Sequence, residues 1–207
     1  MLSNYPAQAL LLTDGRVLLS HQVDVDATRP GELFDPVRGN FQALPQGVGP
    51  RSVATLLSNG EVLFWESEKG ATIYDPSTNS YSPGGGFCWG IAGTWSRLLA
   101  DGRVLCRAEN FVLFSTGKSA LLYNPRTNST SPTTAAASRP DVLLPGGLVF
   151  ILGDTKVGLV GQRSPNVVYD PSTDQIIPVP VSTVVPNPDF VGLLPDGRVA
   201  SRLPLKV

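Results

Sequence analysis

Short apolar runs separated by turn residues fill the whole chain, and one such unit recurs. Two apolar residues, a short polar turn and a further apolar position return five times, at residues 11–17, 56–62, 98–104, 143–149 and 193–199. An Asp-Gly or Asn-Gly pair between apolar runs is typical of a tight β-hairpin, because glycine readily takes the positive φ that such a turn needs. The repeat therefore predicts five hairpins, each joining a strand a to a strand b.

A second cluster lies between successive copies of the first. It consists of an aliphatic residue, an aromatic residue, Asp or Asn, and Pro, at residues 33–36, 73–76, 122–125 and 168–171. Aspartate can accept a backbone hydrogen bond two residues on, and proline pre-sets the turn. This cluster predicts a turn that joins strand c to strand d. Because the hairpin glycines recur every 42 to 50 residues, the repeat length is typical of a β-propeller.

One repeat predicts four short antiparallel strands, for example Val53 to Leu57, Val62 to Trp65, Thr72 to Tyr74 and Ser80 to Ser82. Four such strands form one propeller blade. No segment keeps an apolar period of 3.6 residues long enough for a helix. We therefore expect an all-β chain, with residues 1–207 forming a single propeller domain.

The paired motifs, Asp-Gly-Arg-Val-Leu followed by Tyr-Asp-Pro-x-Thr-Asn, resemble kelch repeats of the divergent, galactose-oxidase-like kind. The resemblance covers nearly the whole chain and implies blades of four antiparallel strands. It departs from the kelch pattern after strand b, where a Gly-Gly pair is usual and this chain has Ser20-His21 and Glu66-Ser67.

Five hairpins accompany only four c–d clusters, so one blade is incomplete in the repeat pattern. Residues 3–6 resemble the outer strand segments of other repeats and could supply strand d of the last blade, with residues 205–207 as its strand c. This arrangement predicts a closed ring of five blades, because it removes two open sheet edges. The alternative is an open arc that belongs to a larger ring or is completed by a second copy.

Charge and composition exclude several partners. With 16 basic and 17 acidic residues the net charge is −1, which gives no field for phosphate backbones or anionic lipid. We therefore expect no nucleic-acid binding and no membrane insertion. The N-terminus lacks a basic signal region and no apolar run is long enough to span a membrane, so we expect synthesis in the cytoplasm and leave the final compartment open. Cys88 and Cys106 lie in no metal or redox spacing and are expected to be free thiols.

Catalytic chemistry has little support in the sequence. The copper site that a galactose-oxidase resemblance would imply needs two histidines, whereas the chain contains only His21. Residues 24–35 begin like a calcium loop, but Arg29 and Asp35 replace the glycine and glutamate that such a loop needs. The glycine run 83–86 lacks the lysine of a phosphate-binding loop and is expected to be a flexible connector. We predict no catalytic residue, metal or cofactor, and we interpret the repeated aspartates as turn residues.

The loops at one mouth of the propeller are the remaining candidate for binding, because binding residues concentrate in loops held by a rigid scaffold. Large aromatic and arginine side chains favour interfaces. The candidates of these two types are Trp89, Trp95, Phe111, Phe114, Arg51, Arg97, Arg107 and Arg139. For Trp95, as for Trp65, packing between blades is the favoured alternative.

Three functions fit these expectations. The first is a non-catalytic interaction or assembly module that binds a protein partner or itself, for example as a structural component of a virion or phage tail. The second is a lectin-like propeller that binds glycans. The third and least favoured is an enzyme, because a propeller fold does not by itself establish an activity.

Overall fold

The computed structural model describes residues 8–20, 31–45, 52–66, 70–88, 95–108, 119–136, 141–151, 166–179 and 190–202. Within these ranges every regular element is a β-strand, and no helix occurs. Blade 1 contains β1 (Gln8–Leu11), β2 (Val17–Ser20), β3 (Glu32–Asp35) and β4 (Asn40–Ala43). Blade 2 contains β5 (Val53–Leu56), β6 (Val62–Glu66), β7 (Gly70–Asp75) and β8 (Ser80–Pro83).

The later blades repeat this order. Blade 3 contains β9 (Ser96–Leu98), β10 (Val104–Ala108), β11 (Ser119–Asn124) and β12 (Ser129–Ala136). Blade 4 contains β13 (Asp141–Leu143), β14 (Val149–Ile151), β15 (Val167–Asp170) and β16 (Gln175–Pro178). The described part of blade 5 is a hairpin of β17 (Phe190–Leu193) and β18 (Val199–Arg202).

Blades 1 to 4 are each a four-stranded antiparallel sheet in which sequential strands are neighbours. This confirms the all-β, blade-like architecture and the strands expected for blade 2. The inner strands of blades 1 and 2, of blades 2 and 3, and of blades 4 and 5 contact one another, as β1 with β5, β5 with β9, and β13 with β17, and blades 3 and 4 meet through β12 and β16. The segments proposed to complete the ring, residues 3–6 and 205–207, lie outside the described residues. Ring closure, the count of five blades and the single-domain assignment therefore stay predictions.

The two repeated turns have the geometry that the sequence predicts. The five hairpin glycines, Gly15, Gly60, Gly102, Gly147 and Gly197, have φ between 83° and 89°. In the c–d turn of blade 2, Asp75 accepts hydrogen bonds from the Ser77 backbone N–H at 2.8 Å and from the Thr78 hydroxyl. Asp170 makes the same contacts in blade 4. The repeated aspartates thus organise the turns in which they lie.

The hydrophobic core consists of three clusters, and each cluster lies between two consecutive blades. Leu18 and Leu33 of blade 1 pack against Val62 and Tyr74 of blade 2. Equivalent clusters join blade 2 to blade 3 and blade 3 to blade 4. Because each sheet is short, its two faces become buried only through contact with the blades on either side.

The expectation that Cys88 and Cys106 are free thiols is wrong. The two cysteines form a disulfide, with their Cα atoms 6.4 Å apart. Cys88 follows the outer strand of blade 2 and Cys106 lies in β10 of blade 3, and both are buried in the cluster between these blades. The pairing depends on how neighbouring blades meet, which the 18-residue separation does not reveal.

The glycine run expected to be a flexible connector makes a specific contact with the next blade. Gly85 donates its backbone N–H to the Asn128 side-chain oxygen of blade 3, and a Cβ on Gly85 would lie 1.8 Å from the Asn128 carbonyl oxygen. Only glycine permits this close approach between the two segments of the chain. The run is therefore part of the contact between blades 2 and 3.

Candidate functional site

One row of side chains runs across each complete sheet and faces the preceding blade. In blade 2 the row is Leu56, Val62, Tyr74 and Tyr81, which are cross-strand partners in the pairing of β5 to β8. All four belong to the cluster shared with blade 1. The corresponding rows of blades 3 and 4 lie in the clusters shared with blades 2 and 3.

Blade 1 has the same row, and no other blade among the described residues covers it. Its members are Leu11, Val17, Phe34 and Phe41, again successive cross-strand partners. Leu11 is 66% exposed and Phe41 is 58% exposed, whereas their equivalents in blade 2, Leu56 and Tyr81, are only partly exposed. Val17 and Phe34 are partly exposed, whereas their equivalents Val62 and Tyr74 are fully buried. We call the row Leu11, Val17, Phe34 and Phe41 the open face.

The open face is ordered and apolar. The rings of Phe34 and Phe41 lie 4.9 Å apart and are tilted by 38°. Val37, in the turn between β3 and β4, is 94% exposed and extends the apolar surface. Burying a leucine or phenylalanine side chain contributes roughly 1.5–3 kcal/mol, so covering this row would provide a substantial driving force for association. Contiguous exposed apolar surface of this kind marks interaction sites.

Arginine side chains of the a–b hairpins provide polar contacts between blades. Arg16 donates through Nε to the Asp14 carboxylate at 2.8 Å and through Nη2 to the Pro76 carbonyl of blade 2 at 2.7 Å. Arg103 repeats this arrangement with Asp101 and the Pro171 carbonyl of blade 4. The aspartate fixes the guanidinium, and the guanidinium reaches the c–d turn of the next blade.

The ion pairs change the proton affinities of both partners. The Arg16 hydrogen bond lowers the pKa of Asp14, and the same contact raises the pKa of Arg16. At Asp101, burial acts to raise the pKa, but the contacts with Arg103 more than offset it and the pKa is lowered. These pairs are charged at neutral pH and serve as interblade contacts.

In blade 5 the equivalent arginine is Arg198, and among the described residues no carbonyl of another blade accepts a hydrogen bond from it. Arg198 donates through Nε to Asp196 at 2.7 Å, as in blades 1 and 3. Its side chain is 78% exposed, whereas those of Arg16 and Arg103 are 25% and 30% exposed because they lie against the next blade. The Arg198 guanidinium is thus held in the donating geometry on an uncovered surface.

A second polar contact joins the outer parts of the blades. In blades 2 to 4 the residue before strand d has a positive φ, at Asn79, Asn128 and Asp174. Each accepts a hydrogen bond from the hydroxyl of a buried tyrosine, respectively Tyr74, Tyr123 and Tyr169.

Two of these side chains also accept from the preceding blade. Asn128 accepts from Gly85 of blade 2, and Asp174 accepts from Thr133 and Thr134 of blade 3. Burial raises the pKa of Tyr169 to about 12, so its hydroxyl stays protonated and donates to Asp174. We call this tyrosine and Asn or Asp pair the outer clasp.

Blade 1 lacks both members of the outer clasp. Phe34 occupies the tyrosine position and has no hydroxyl, and Gly39, with φ of 64°, occupies the Asn or Asp position. Its c–d turn still contains Asp35 and Pro36. The open face therefore has no polar group for the outer strand of a preceding blade.

The loop residues predicted to bind a partner lie mostly beyond the structural description. Those outside the described residues are Trp89, Phe111, Phe114, Arg51 and Arg139. Arg107 belongs to β10, but its side chain is also outside the description. That these loop residues form one binding site therefore stays a prediction.

Two predicted candidates can be located. Arg97 lies in β9 and is partly exposed, and Trp95 immediately precedes β9 and packs against the cluster between blades 3 and 4. The Trp95 indole N–H is buried without a hydrogen-bond partner. Trp65 packs edge-on against Tyr123 with 5.4 Å between ring centroids, which confirms its expected role between blades.

The sequence analysis did not find the open face. The signal lies in the comparison of equivalent positions, where blades 2 to 4 have tyrosine and blade 1 has Phe34. Among the described residues no group of three potential metal-ligating side chains occurs. The described part of the chain also contains no helix long and apolar enough to cross a membrane.

Similarity to known proteins is confined to the fold. No protein-family model matches the sequence, and no curated protein is significantly similar to it. The chain resembles hydrazine synthase from Kuenenia stuttgartiensis, with a TM-score of 0.67 and 14% identity over 95% of this chain and 55% of that one. It also resembles virginiamycin B lyase from Staphylococcus aureus, with a TM-score of 0.61 and 13% identity over 95% of this chain and 67% of that one.

A third similar structure is the extracellular domain of a hybrid two-component system from B. thetaiotaomicron. It has a TM-score of 0.61 and 12% identity, and the match covers 98% of this chain and 26% of that one. The match thus covers about a quarter of the extracellular domain, 55% of hydrazine synthase and 67% of virginiamycin B lyase. At such identities the likeness establishes a propeller-type fold.

Proposed function

We propose that this chain is a non-catalytic, kelch-like interaction module that binds a protein partner through the open face of blade 1. The observation that carries the proposal is the exposure of Leu11 and Phe41, whose equivalents in blade 2, Leu56 and Tyr81, are only partly exposed and pack in the cluster between blades. A sheet face of this composition is made to pack against another apolar surface.

A protein is favoured over a small ligand because the open face is a sheet surface. Small molecules bind in concave sites with a few convergent polar groups. The open face consists of aromatic and aliphatic side chains on four strands. Its two outer-clasp positions are Phe34 and Gly39, which have no polar side-chain group. In this proposal the chain is an assembly component, such as a structural protein of a virion or phage tail.

The experiment compares partner capture by the purified chain, by Phe41→Asp and by Ile177→Asp. Ile177 is a matched control, because it is also an apolar residue of an outer strand and is 49% exposed on blade 4. Partners are captured from cells of the source organism and identified by mass spectrometry. The proposal predicts a protein that is retained by the Ile177→Asp variant and lost by Phe41→Asp. Equal capture by all three chains would contradict it.

A lectin-like function is the second candidate, and the partial exposure of Trp95 favours it. An indole ring is a large apolar surface with a polar tip and suits contact with another molecule where it is exposed. A glycan array tests this alternative. Binding of a defined glycan that is lost in Trp95→Phe, which removes only the N–H donor and part of the ring, would support the lectin function.

A further inference from the structure

We propose that the partner of the open face is a second copy of this chain, whose blade 5 hairpin docks head to tail on blade 1. This inference rests on the proposed function and names its partner. The two ends of the described arc expose complementary halves of one interface, and the same interface is formed three times inside the chain.

On blade 5, an exposed leucine, Leu194, marks its half of the proposed interface. In blades 1, 2 and 3 a leucine immediately before the a–b turn belongs to the cluster shared with the following blade. These residues, Leu12, Leu57 and Leu99, are at most 3% exposed, whereas Leu144 of blade 4 is partly exposed and Leu194 of blade 5 is 38% exposed. Leu194 is therefore at the position that the row of a following blade would cover.

Arg198 supplies the polar part of the same half. Its pairing with Asp196 matches that of Arg16 with Asp14 and of Arg103 with Asp101. Both internal arginines donate to a proline carbonyl in the c–d turn of the next blade. The Arg198 guanidinium is exposed and held by Asp196, so it can donate to a backbone carbonyl of a docked c–d turn.

Blade 1 provides the matching half. Its c–d turn contains Pro36 at the position of Pro76 and Pro171, which accept from the internal arginines. It lacks the outer clasp, which in blades 3 and 4 accepts hydrogen bonds from the preceding blade. Blade 1 thus keeps the groups that meet an a–b hairpin, and a hairpin is the described part of blade 5.

The copies meet through different surfaces, so the contact repeats. Such heterologous contacts produce a ring if the rotation closes and a filament if it does not. We therefore expect the mass to rise above that of the monomer with protein concentration, either to a closed ring of fixed size or to a growing filament. Intrachain docking of blade 5 on blade 1 would leave Leu11 and Leu194 buried, whereas both are exposed in the structure.

The first test measures the molar mass by light scattering over a range of protein concentrations. The wild type should exceed the monomer mass increasingly as concentration rises. Phe41→Asp and Leu194→Asp should each weaken association about tenfold or more, because a charge is buried at either half of the contact. The matched control Ile177→Asp should associate like the wild type, and circular dichroism should show that all variants are folded.

The second test identifies which surfaces meet. Val37→Cys and Pro195→Cys variants carry one new thiol each, since the two native cysteines are paired in the disulfide. Mixed and treated with a thiol crosslinker, they should give dimers that join position 37 of one chain to position 195 of another. Crosslinks that join 37 to 37 would overturn the head-to-tail arrangement. A double variant that crosslinks within one chain and stays monomeric would overturn the second copy and indicate a closed ring.

The two proposals can fail separately. A chain that is monomeric at every concentration but loses a different captured protein in Phe41→Asp would overturn the self-association and keep the proposed function. A monomeric chain whose captured proteins do not depend on Phe41 would overturn both.

Discussion

Removing the disulfide between Cys88 and Cys106 should destabilise the fold by an amount that can be calculated from the chain. The bond closes a loop with a sequence separation of 18 residues. Restricting the unfolded chain by a loop of this length stabilises the native state by about 3 kcal/mol at 25 °C. Because the two cysteines lie in neighbouring blades, the loss should be felt at the contact between blades 2 and 3.

The assay is urea unfolding of three forms of the protein, monitored by circular dichroism. The oxidised wild type is compared with the same chain reduced under denaturing conditions and refolded with reductant, and with the double variant Cys88→Ala and Cys106→Ala. The reduced wild type keeps both sulfur atoms in the core, so its loss of stability reports the crosslink alone. The double variant should lose more, since it also removes buried side-chain volume.

Thiol counting before unfolding checks the premise. The native chain should show no reactive thiol, and peptide mapping should recover a fragment that joins residues 88 and 106. Equal midpoints for the oxidised and reduced chains, or two titratable thiols in the unfolded, unreduced protein, would refute the reasoning.

Three further predictions concern the contacts between blades. Asn128→Ala should lower the free energy of unfolding in urea by roughly 1–3 kcal/mol. The Gly85 N–H and the Tyr123 hydroxyl lose their acceptor, and alanine must adopt a positive φ. Asn128→Asp keeps an acceptor, so an equally small loss of stability in both variants would contradict this. Arg103→Met should cost about 0.5–1.5 kcal/mol, whereas Arg198→Met should change the stability of the monomer by less than about 0.5 kcal/mol, since only Arg103 reaches a carbonyl of the next blade. The pKa of Tyr169 is raised to about 12, above the unfolded value of about 10, so its contribution to stability is fully present below pH 10 and is lost as the pH rises towards 12. The difference in unfolding free energy between wild type and Tyr169→Phe should therefore fall over this pH range. A constant difference would contradict a buried, protonated hydroxyl.

The repeat motifs predicted most of the architecture because their physics is local. An Asp-Gly pair determines its own turn, and Asp75 satisfies the backbone of its own c–d turn, so neither depends on distant residues. The strands follow from the apolar runs between these turns. Such features can be read from a short window of sequence.

The contacts that were missed join residues of different blades. Cys88 pairs with Cys106, and Asn128 accepts from Gly85, only because the sheets pack side by side. No local pattern indicates which faces meet. The open face was missed for the same reason: Phe34 is an ordinary strand residue until it is compared with Tyr74, Tyr123 and Tyr169 at the equivalent position of the packed blades.

The residues of the predicted loop site were chosen by side-chain type, since aromatic and arginine residues favour interfaces. Trp95 shows the weakness of that criterion, because its ring packs between blades while its N–H has no partner. Side-chain type alone does not separate a core residue from a contact residue.

The most direct test of the central claim is hydroxyl-radical footprinting of the open face, with oxidation of individual side chains measured by mass spectrometry. At low protein concentration both Phe41 and Ile177 should be oxidised, because both are about half exposed, and each residue is then compared with itself as the concentration changes. As the concentration rises, Phe41 and Leu194 should become protected while Ile177 stays reactive. Protection of Phe41 already in the dilute monomer, or unchanged oxidation of Phe41 and Leu194 at every concentration, would contradict the account.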